Sequence, residues 1–456
     1  MLFSLCFLAQ ARRALTKACM VIFLSVLLTT ELLTPKVAAS TLSLSQAQKH
    51  ALENDPVLSA SRLREKAFHS DAVAFDTWDT PTLSTSVQNL PVDNFSLQQE
   101  PMTQLQIGIK QTLPRGNTAQ LKAEGAKAQA GKEQIKRSGR KLWVSQQVSI
   151  AWYQGYYAQK KAALLKDKEE VVSQLIEAMN AAYTTGDVNT QQQDIVALEL
   201  DKVMLQEAQY RAVEDMEVAK SVLTEWLSGV DLSTMNWPQS TSLSVVQQAR
   251  DYVEKINPID IFSLMHFHPE ALAYEFDEQY AHTQLAIAQE SEKPQWALQA
   301  SYGYRQHDVL NQHRSDFISF GVQVDLPSFS STRNSAQISS KTNRLSAVAT
   351  DRRLVISRLS SQAQQYRTRL TFASQRYHLL KERLLTQAEY AQATTLRSFA
   401  QGAQNNMSNA LQVRMAIIDA KLAMLDIELQ LATSLQRVKY YYQPALSLHA
   451  NYQRGS

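Results

Sequence analysis

The chain has 456 residues, with 46 Lys and Arg against 43 Asp and Glu, a formal net charge of +3. A balance this close to neutral argues against a nucleic-acid partner, which would need a basic face. The chain's two cysteines, Cys6 and Cys19, both lie near the N-terminus, so the remainder offers no disulfide, no thiolate nucleophile and no thiolate metal site.

Arg12, Arg13 and Lys17 form a basic cluster, residues 18–30 are an apolar run, and Val37-Ala38-Ala39-Ser40 supplies small residues. This pattern predicts a signal peptide over residues 1–39, cleaved after Ala39 or Ser40. The apolar run is shorter than the roughly 20 residues that span a bilayer. Neither cysteine follows a lipobox-like sequence, so no lipid anchor is expected. No long apolar run follows, so any membrane-spanning part must consist of strands.

The rest of the chain repeats itself. Asp55-Pro56 recurs as His268-Pro269, Pro81 as Pro294, Gly108 as Gly321 and Leu113-Pro114 as Leu326-Pro327, always 213 residues later (269 − 56 = 213; 327 − 114 = 213). Punctuation at one fixed spacing indicates two copies of one structural unit. The copies are expected over residues 40–228 and 258–443, with a linker at 229–257 and a tail at 444–456.

Each copy opens with a helix-like segment followed by two short alternating pieces. Residues 81–87 alternate weakly through Leu83 and Val87; Leu105, Ile107 and Ile109 alternate strictly. In the second copy Trp296, Leu298, Ala300, Tyr302 and Tyr304 alternate with polar residues, and Ile318, Phe320, Val322 and Val324 do the same. Such alternation predicts strands with one apolar and one polar face, of the length and character of a transmembrane barrel. Four strands cannot close a barrel with a lumen, so either they pair into a small sheet, as in a soluble α+β domain, or several chains share one barrel.

Proline-free stretches rich in helix formers follow, from Pro114 to Pro238 and from Pro327 to Pro444. Each has one expected break, at Tyr183-Thr-Thr-Gly186-Asp187 and at Phe399-Ala-Gln-Gly402-Ala403, where glycine can close a helix. Asp187 or Asn189 is expected to cap the returning helix. The result is two helical hairpins, the first with a helix over residues 118–183 about 100 Å long. Ala123, Ala126, Ala128 and Ala130 allow close helix approach, as do Ser335, Ala336, Ser339 and Ser340. Overall the fold class is mainly α with a membrane β-barrel.

No motif supports an enzyme: there is no phosphate loop, nucleophile elbow, His-Glu-x-x-His or dinucleotide turn. No cofactor is implied. His266 and His268, and His307 and His313, have no carboxylate or thiol in an obvious ligand spacing and are expected to play no ligand role. Glu169-Glu170 and Asp215 with Glu217 lie among lysines and read as solvated charge.

Ala47-x4-Leu52-x-Asn54-Asp55-Pro56, Gln111-Thr-Leu-Pro114-Arg-Gly116, the twofold repeat and the aromatic-x-x-Gly tips together resemble the TolC-like outer-membrane efflux family, over residues 42–442. The resemblance implies a homotrimer whose twelve-stranded barrel lies in the outer membrane of a Gram-negative bacterium, above a helical tunnel crossing the periplasm. It implies an equatorial region formed by residues 232–257 and the tail after Pro444. Tyr183, Gly186, Asp187, Phe399 and Gly402 would then form the periplasmic tips, which dock a periplasmic adaptor bound to an inner-membrane pump of the RND type. Members commonly carry an aspartate past the tip glycine as an acidic constriction. Here Asp194 lies eight residues past Gly186, and the second copy has Ala410 at the matching place, with Arg397 and Arg414 instead. These three residues are the candidate pore constriction. The Asn89-Leu-Pro91 loop and the Gln99-Glu-Pro-Met-Thr-Gln104 stretch resemble the heavy-metal-export branch. A multidrug or type I protein-secretion duct has the same architecture. A periplasmic coiled-coil adaptor is the alternative of a different class; it would carry one hairpin rather than a twofold repeat.

Overall fold

The computed structural model describes residues 42–185, 191–232, 235–238, 245–256, 260–327, 331–400 and 406–455. The expected signal peptide and the tip residues Gly186, Asp187 and Gly402 lie outside these ranges, as does the side chain of Phe399. The elements are α1 (Leu44–Asn54), α2 (Pro56–Phe75), β1 (Thr82–Gln88), β2 (Gln104–Thr112), α3 (Thr118–Thr184), α4 (Gln192–Thr224), α5 (Val245–Ile256), α6 (Ile261–Met265), α7 (Pro269–Glu290), β3 (Gln295–Tyr304), β4 (Phe317–Asp325), α8 (Ser331–Leu379), a π-helical turn (Leu380–Leu385), α9 (Thr386–Ala400) and α10 (Asn406–Gly455). The strands form one antiparallel sheet in the order β1-β2-β3-β4. Element starts keep the sequence spacing: α7 follows α2, β3 follows β1, β4 follows β2 and α8 follows α3 by 213 residues (269 − 56, 295 − 82, 317 − 104, 331 − 118).

Local chemistry starts each helix. Ser43 and Gln46 form a reciprocal capping box at α1. Asp55 caps α2 by accepting the Val57 N–H at 2.8 Å, with Pro56 at the first helical position. Asp55 is buried and also accepts from Arg140 Nε of α3 at 2.7 Å, which ties the cap to the long helix. At the matching place before α7, His268 Nδ1 accepts the Glu270 N–H at 3.2 Å, again ahead of a proline. At the start of α3 the backbone turns at Gly116 with φ +51°, where an added Cβ would strike the Glu290 carboxylate. Glu290 Oε2 in turn accepts the Asn117 N–H at 3.1 Å, so the end of α7 closes the start of α3.

The 67 residues of α3 pack against α2, α4, α7 and α10. Ala123, Ala126, Ala128 and Ala130 are all buried along its first part. Further along, Lys161 pairs with Asp426 at 3.2 Å and Lys168 with Asp419 at 2.6 Å. Seven residues forward on α3 match seven backward on α10, so the two run antiparallel in register. These pairs are partly exposed and set alignment more than stability.

The main core sits where α1, α3, α4, α5, α6, α7, α8 and α10 meet. Trp152 stacks on Tyr156 with ring centres 5.2 Å apart, and its Nε1 donates to Leu42 O at 2.9 Å. Trp237 lies buried against Gly155, where an added Cβ would come within 2.0 Å of the indole. Its backbone N–H donates to Gln159 Oε1 at 3.0 Å, so the segment after α4 is docked on α3.

The expected caps Asp187 and Asn189 lie outside the described residues; the returning helix α4 starts at Gln192 with Gln191 as its N-cap. Two other expectations differ from what is seen. The second long stretch is not one helix up to its tip. It passes through the π-helical turn at 380–385, where Thr386 Oγ1 reaches back to Lys381 O at 3.2 Å. Such a turn absorbs extra length within a helix, and the second copy carries three extra residues before its tip is passed. The expected tail boundary at 443/444 falls inside α10, which continues through Pro444. Proline normally breaks a helix. Here Tyr442 before it and Leu446 after it both pack on the same core, which holds the helix across the lost hydrogen bond.

Gly155→Ala is expected to lower stability by about 1–3 kcal/mol through overpacking. Combining it with Trp237→Leu should cost less than the sum of the two changes; strictly additive unfolding free energies would show that the indole is not the obstacle. His268 is 1% exposed, and burial pushes its imidazole from 6.5 down to about 4. The Tyr440 backbone lies near enough to oppose that shift, yet Nε2 closes no hydrogen bond. The unfolded chain therefore takes up a proton near 6.5 that the folded chain refuses until about 4. Stability from this group is complete above pH 6.5 and falls as pH drops towards 4, by on the order of 3 kcal/mol. In melts at neutral and acid pH, His268→Asn, which keeps a capping acceptor, should show a smaller acid-induced loss than the parent. An equal loss would remove His268 from the explanation.

Candidate functional site

The sheet is two-faced. Cross-strand partners share a face, and the register places Leu83 opposite Ile109, Val87 opposite Leu105, Ile107 opposite Tyr302, Ile109 opposite Ala300, Ala300 opposite Phe320 and Leu298 opposite Val322. The result is one continuous apolar face, and it is uncovered: Leu83 is 70% exposed, Ile318 69% and Phe320 82%. From Trp296 to Tyr304 this face runs about 26 Å along the strand, close to the roughly 25 Å apolar band of outer-membrane barrels. Aromatic residues mark both ends, Trp296 next to the helices and Tyr302 with Tyr304 next to the loops.

The opposite face is a polar lattice. Gln106 donates to Ser301 Oγ at 2.6 Å, Lys110 Nζ to Gln323 Oε1 at 2.7 Å, and Gln299 to the same Gln323 oxygen at 3.1 Å. Gln104 donates to Gln88 Oε1 at 3.1 Å, and Gln88 donates to Gln106. Phe317 is the exception, and the Arg305 guanidinium covers its ring at 4.0 Å. Strands β1 and β4 are the open edges. Chemically, this sheet can set an apolar solvent against one side and water against the other, and it can pair further strands at either edge.

The two strand-connecting loops are joined at the end away from the helices. Arg305 Nη1 donates to Pro101 O at 3.0 Å and Arg314 Nη1 to Glu100 O at 2.8 Å. Asn89, with φ +52°, bonds across its own loop to Met102 O at 3.1 Å. These cross-loop arginines carried no sequence signal, because their acceptors are backbone carbonyls about 200 residues away.

At the far end of the helices, Tyr183 lies in the last turn of α3 and is 48% exposed. Asp194 is exposed in the first turn of α4, where a negative charge suits the helix dipole. Arg397 is exposed near the end of α9, and Arg414 is exposed on α10. Among the described residues, no side-chain hydrogen bond or ion pair brings Asp194, Arg397 and Arg414 together within one chain. No helix among the described residues is long and apolar enough to cross a membrane.

No family model and no curated protein sequence matches the chain. Solved structures do. The outer-membrane protein VceC of Vibrio cholerae matches at 15% identity and TM-score 0.63, over 86% of this chain and 96% of its own. A membrane protein of Pseudomonas aeruginosa matches at 16% and 0.68, over 89% and 93%. The open-state MtrE outer-membrane channel of Neisseria gonorrhoeae matches at 14% and 0.63, over 88% of each chain. At these identities the likeness is one of fold, and it covers nearly the whole of both partners. The chain therefore has the fold of the TolC-like outer-membrane channels.

Proposed function

We propose that this protein is the outer-membrane exit duct of a tripartite efflux system in a Gram-negative bacterium. The observation that carries the reading is the uncovered apolar face backed by a polar lattice, on a sheet with two open edges, continuous with a 67-residue helix. Three copies would close a twelve-stranded barrel, an even number within the usual range. The apolar face then meets lipid, the glutamine and serine lattice lines water, and the helices extend the water-filled path across the periplasm.

Conduction in such a duct is passive, with no group chemistry required of its own residues. An inner-membrane pump of the RND type, coupled through a periplasmic adaptor, supplies the energy. The tips around Tyr183, Gly186, Asp187, Phe399 and Gly402 form the docking end. Asp194, Arg397 and Arg414 stand close to the entrance on exposed helix faces. With two arginines to one aspartate, the entrance should favour cations less than an acidic ring does. Export of metal ions is the cargo proposed on the loop resemblance; drugs or proteins are the competing cargoes. The periplasmic-adaptor reading leaves the apolar face of the sheet without a solvent.

Outer-membrane fractions should contain a heat-modifiable trimer of this chain. Phe320→Arg places a charge on the outward face and should cost about 2–4 kcal/mol of membrane insertion, emptying the trimer band. Gln299→Arg on the polar face should leave the trimer intact. Soluble monomer in the parent, or an undisturbed Phe320→Arg trimer, would refute the duct. A deletion strain tested on metals beside dyes and antibiotics would then identify the cargo.

A further inference from the structure

The β3–β4 hairpin carries two histidines that conduction does not use. Its ladder is centred on residue 310: Gly303 pairs with Phe317, seven residues to either side. Beyond the strands the backbone holds the same register. The Asp308 N–H donates to Gln312 O at 3.1 Å, two residues to either side. Asp308 Oδ1 accepts the Leu310 N–H at 2.9 Å and the Gln312 N–H at 2.8 Å. Asn311 takes the left-handed conformation, φ +60°, that closes a three-residue hairpin turn.

His307 and His313 lie three residues to either side of the same centre, beyond the paired strands, and face each other across the hairpin end. Their rings are 5.3 Å apart and inclined at 66°. Two imidazoles bound to one metal at about 2.0–2.1 Å, at a tetrahedral angle, have ring centres about 5 Å apart.

The charged groups nearby are balanced, Asp308 and Asp316 against Arg305 and Arg314. Asp316 lies close enough to feel His313, although the hydrogen bond from Tyr302 is the main reason its carboxyl sits below the usual range. Arg314 is bonded to Glu100 O, and Arg305 to Ser315 O and Pro101 O, so both guanidinium groups are held by carbonyls. The odd-numbered positions of β3, such as Gln299 and Ser301, belong to the polar face.

We propose that His307 and His313 form a two-nitrogen chelate for a borderline divalent transition-metal ion, Cu²⁺, Ni²⁺ or Zn²⁺, clamping the β3–β4 hairpin near its turn. Water completes the coordination, and neutral imidazole suits all three metals, with Cu²⁺ bound most tightly. The linear sequence hides this because the two residues stand six apart with no carboxylate in ligand spacing; the ladder brings them together. The site rests on hairpin geometry alone and would survive a failure of the duct reading.

The test uses the full chain purified in detergent without a histidine tag, titrated with Cu²⁺ and read by calorimetry and electron paramagnetic resonance. The parent should take up about one Cu²⁺ per chain with a two-nitrogen signature. His307→Gln and His313→Gln should each lose that signature, and the double variant should lose the bound equivalent. Unchanged oligomer migration would exclude misfolding. Limited proteolysis within 309–311, slowed by Zn²⁺ in the parent only, gives a second readout. Copper binding in the double variant equal to the parent's would overturn the proposal.

Discussion

The constraint on which the rest depends is the orientation of the sheet. Its large apolar side chains stand uncovered while its glutamines, serines and Lys110 bond to one another on the other side. In a water-soluble protein such a sheet would cover its apolar face with a helix or a second sheet. None of the long helices does so: α2, α3, α7 and α8 all join the sheet at the same end of its strands. An apolar solvent on one side and water on the other, as the proposed barrel would supply, satisfy both faces at once. The open edges of β1 and β4 then require more strands, since an unpaired edge within lipid leaves backbone groups without partners.

The helices follow from the same requirement. In the proposed duct a tunnel wall must be thin, so α3 packs its small residues and ion pairs against successive neighbours rather than burying itself in a compact core. Apolar burial is concentrated where eight helices meet, around Trp152, Trp237 and Tyr442. There the two copies of the unit begin with equivalent caps made of different chemistry. Asp55 holds Arg140 as a charge, whereas His268 holds the Glu270 N–H as a neutral ring. The same backbone position thus tolerates a buried ion pair in one copy and a buried uncharged acceptor in the other.

Much of this was legible from residues alone. The strands were readable because alternation with period two has few other causes, and the helix starting at Thr118 because proline is missing for more than a hundred residues after Pro114. Helix interruptions were less legible. The π-helical turn at 380–385 has no glycine or proline to announce it, and the passage of α10 through Pro444 reverses the usual meaning of proline because tertiary packing on both sides outweighs it. The histidine pair was visible as two residues but not as a pair, since pairing depends on ladder register. The cross-loop arginines were invisible for the same reason. The tips, where Gly186 and Gly402 were expected to act, lie outside the described residues.

The most direct measurement uses the internal repeat to specify how copies of the chain join. Within one chain Ile109 stands opposite Ala300. Shifting each strand by the repeat distance (109 + 213 = 322; 300 − 213 = 87) puts Val322 of one copy opposite Val87 of the next. Both of the chain's cysteines lie within residues 1–39, so cysteines introduced at these sites would have no competitors after cleavage there. In one chain the two positions are separated by the width of the sheet. If three copies close a ring, Val87→Cys with Val322→Cys should yield a covalent trimer under oxidation, and neither single variant should. A double variant that stays monomeric, or a ladder that continues beyond three chains, would contradict a closed barrel built from this sheet.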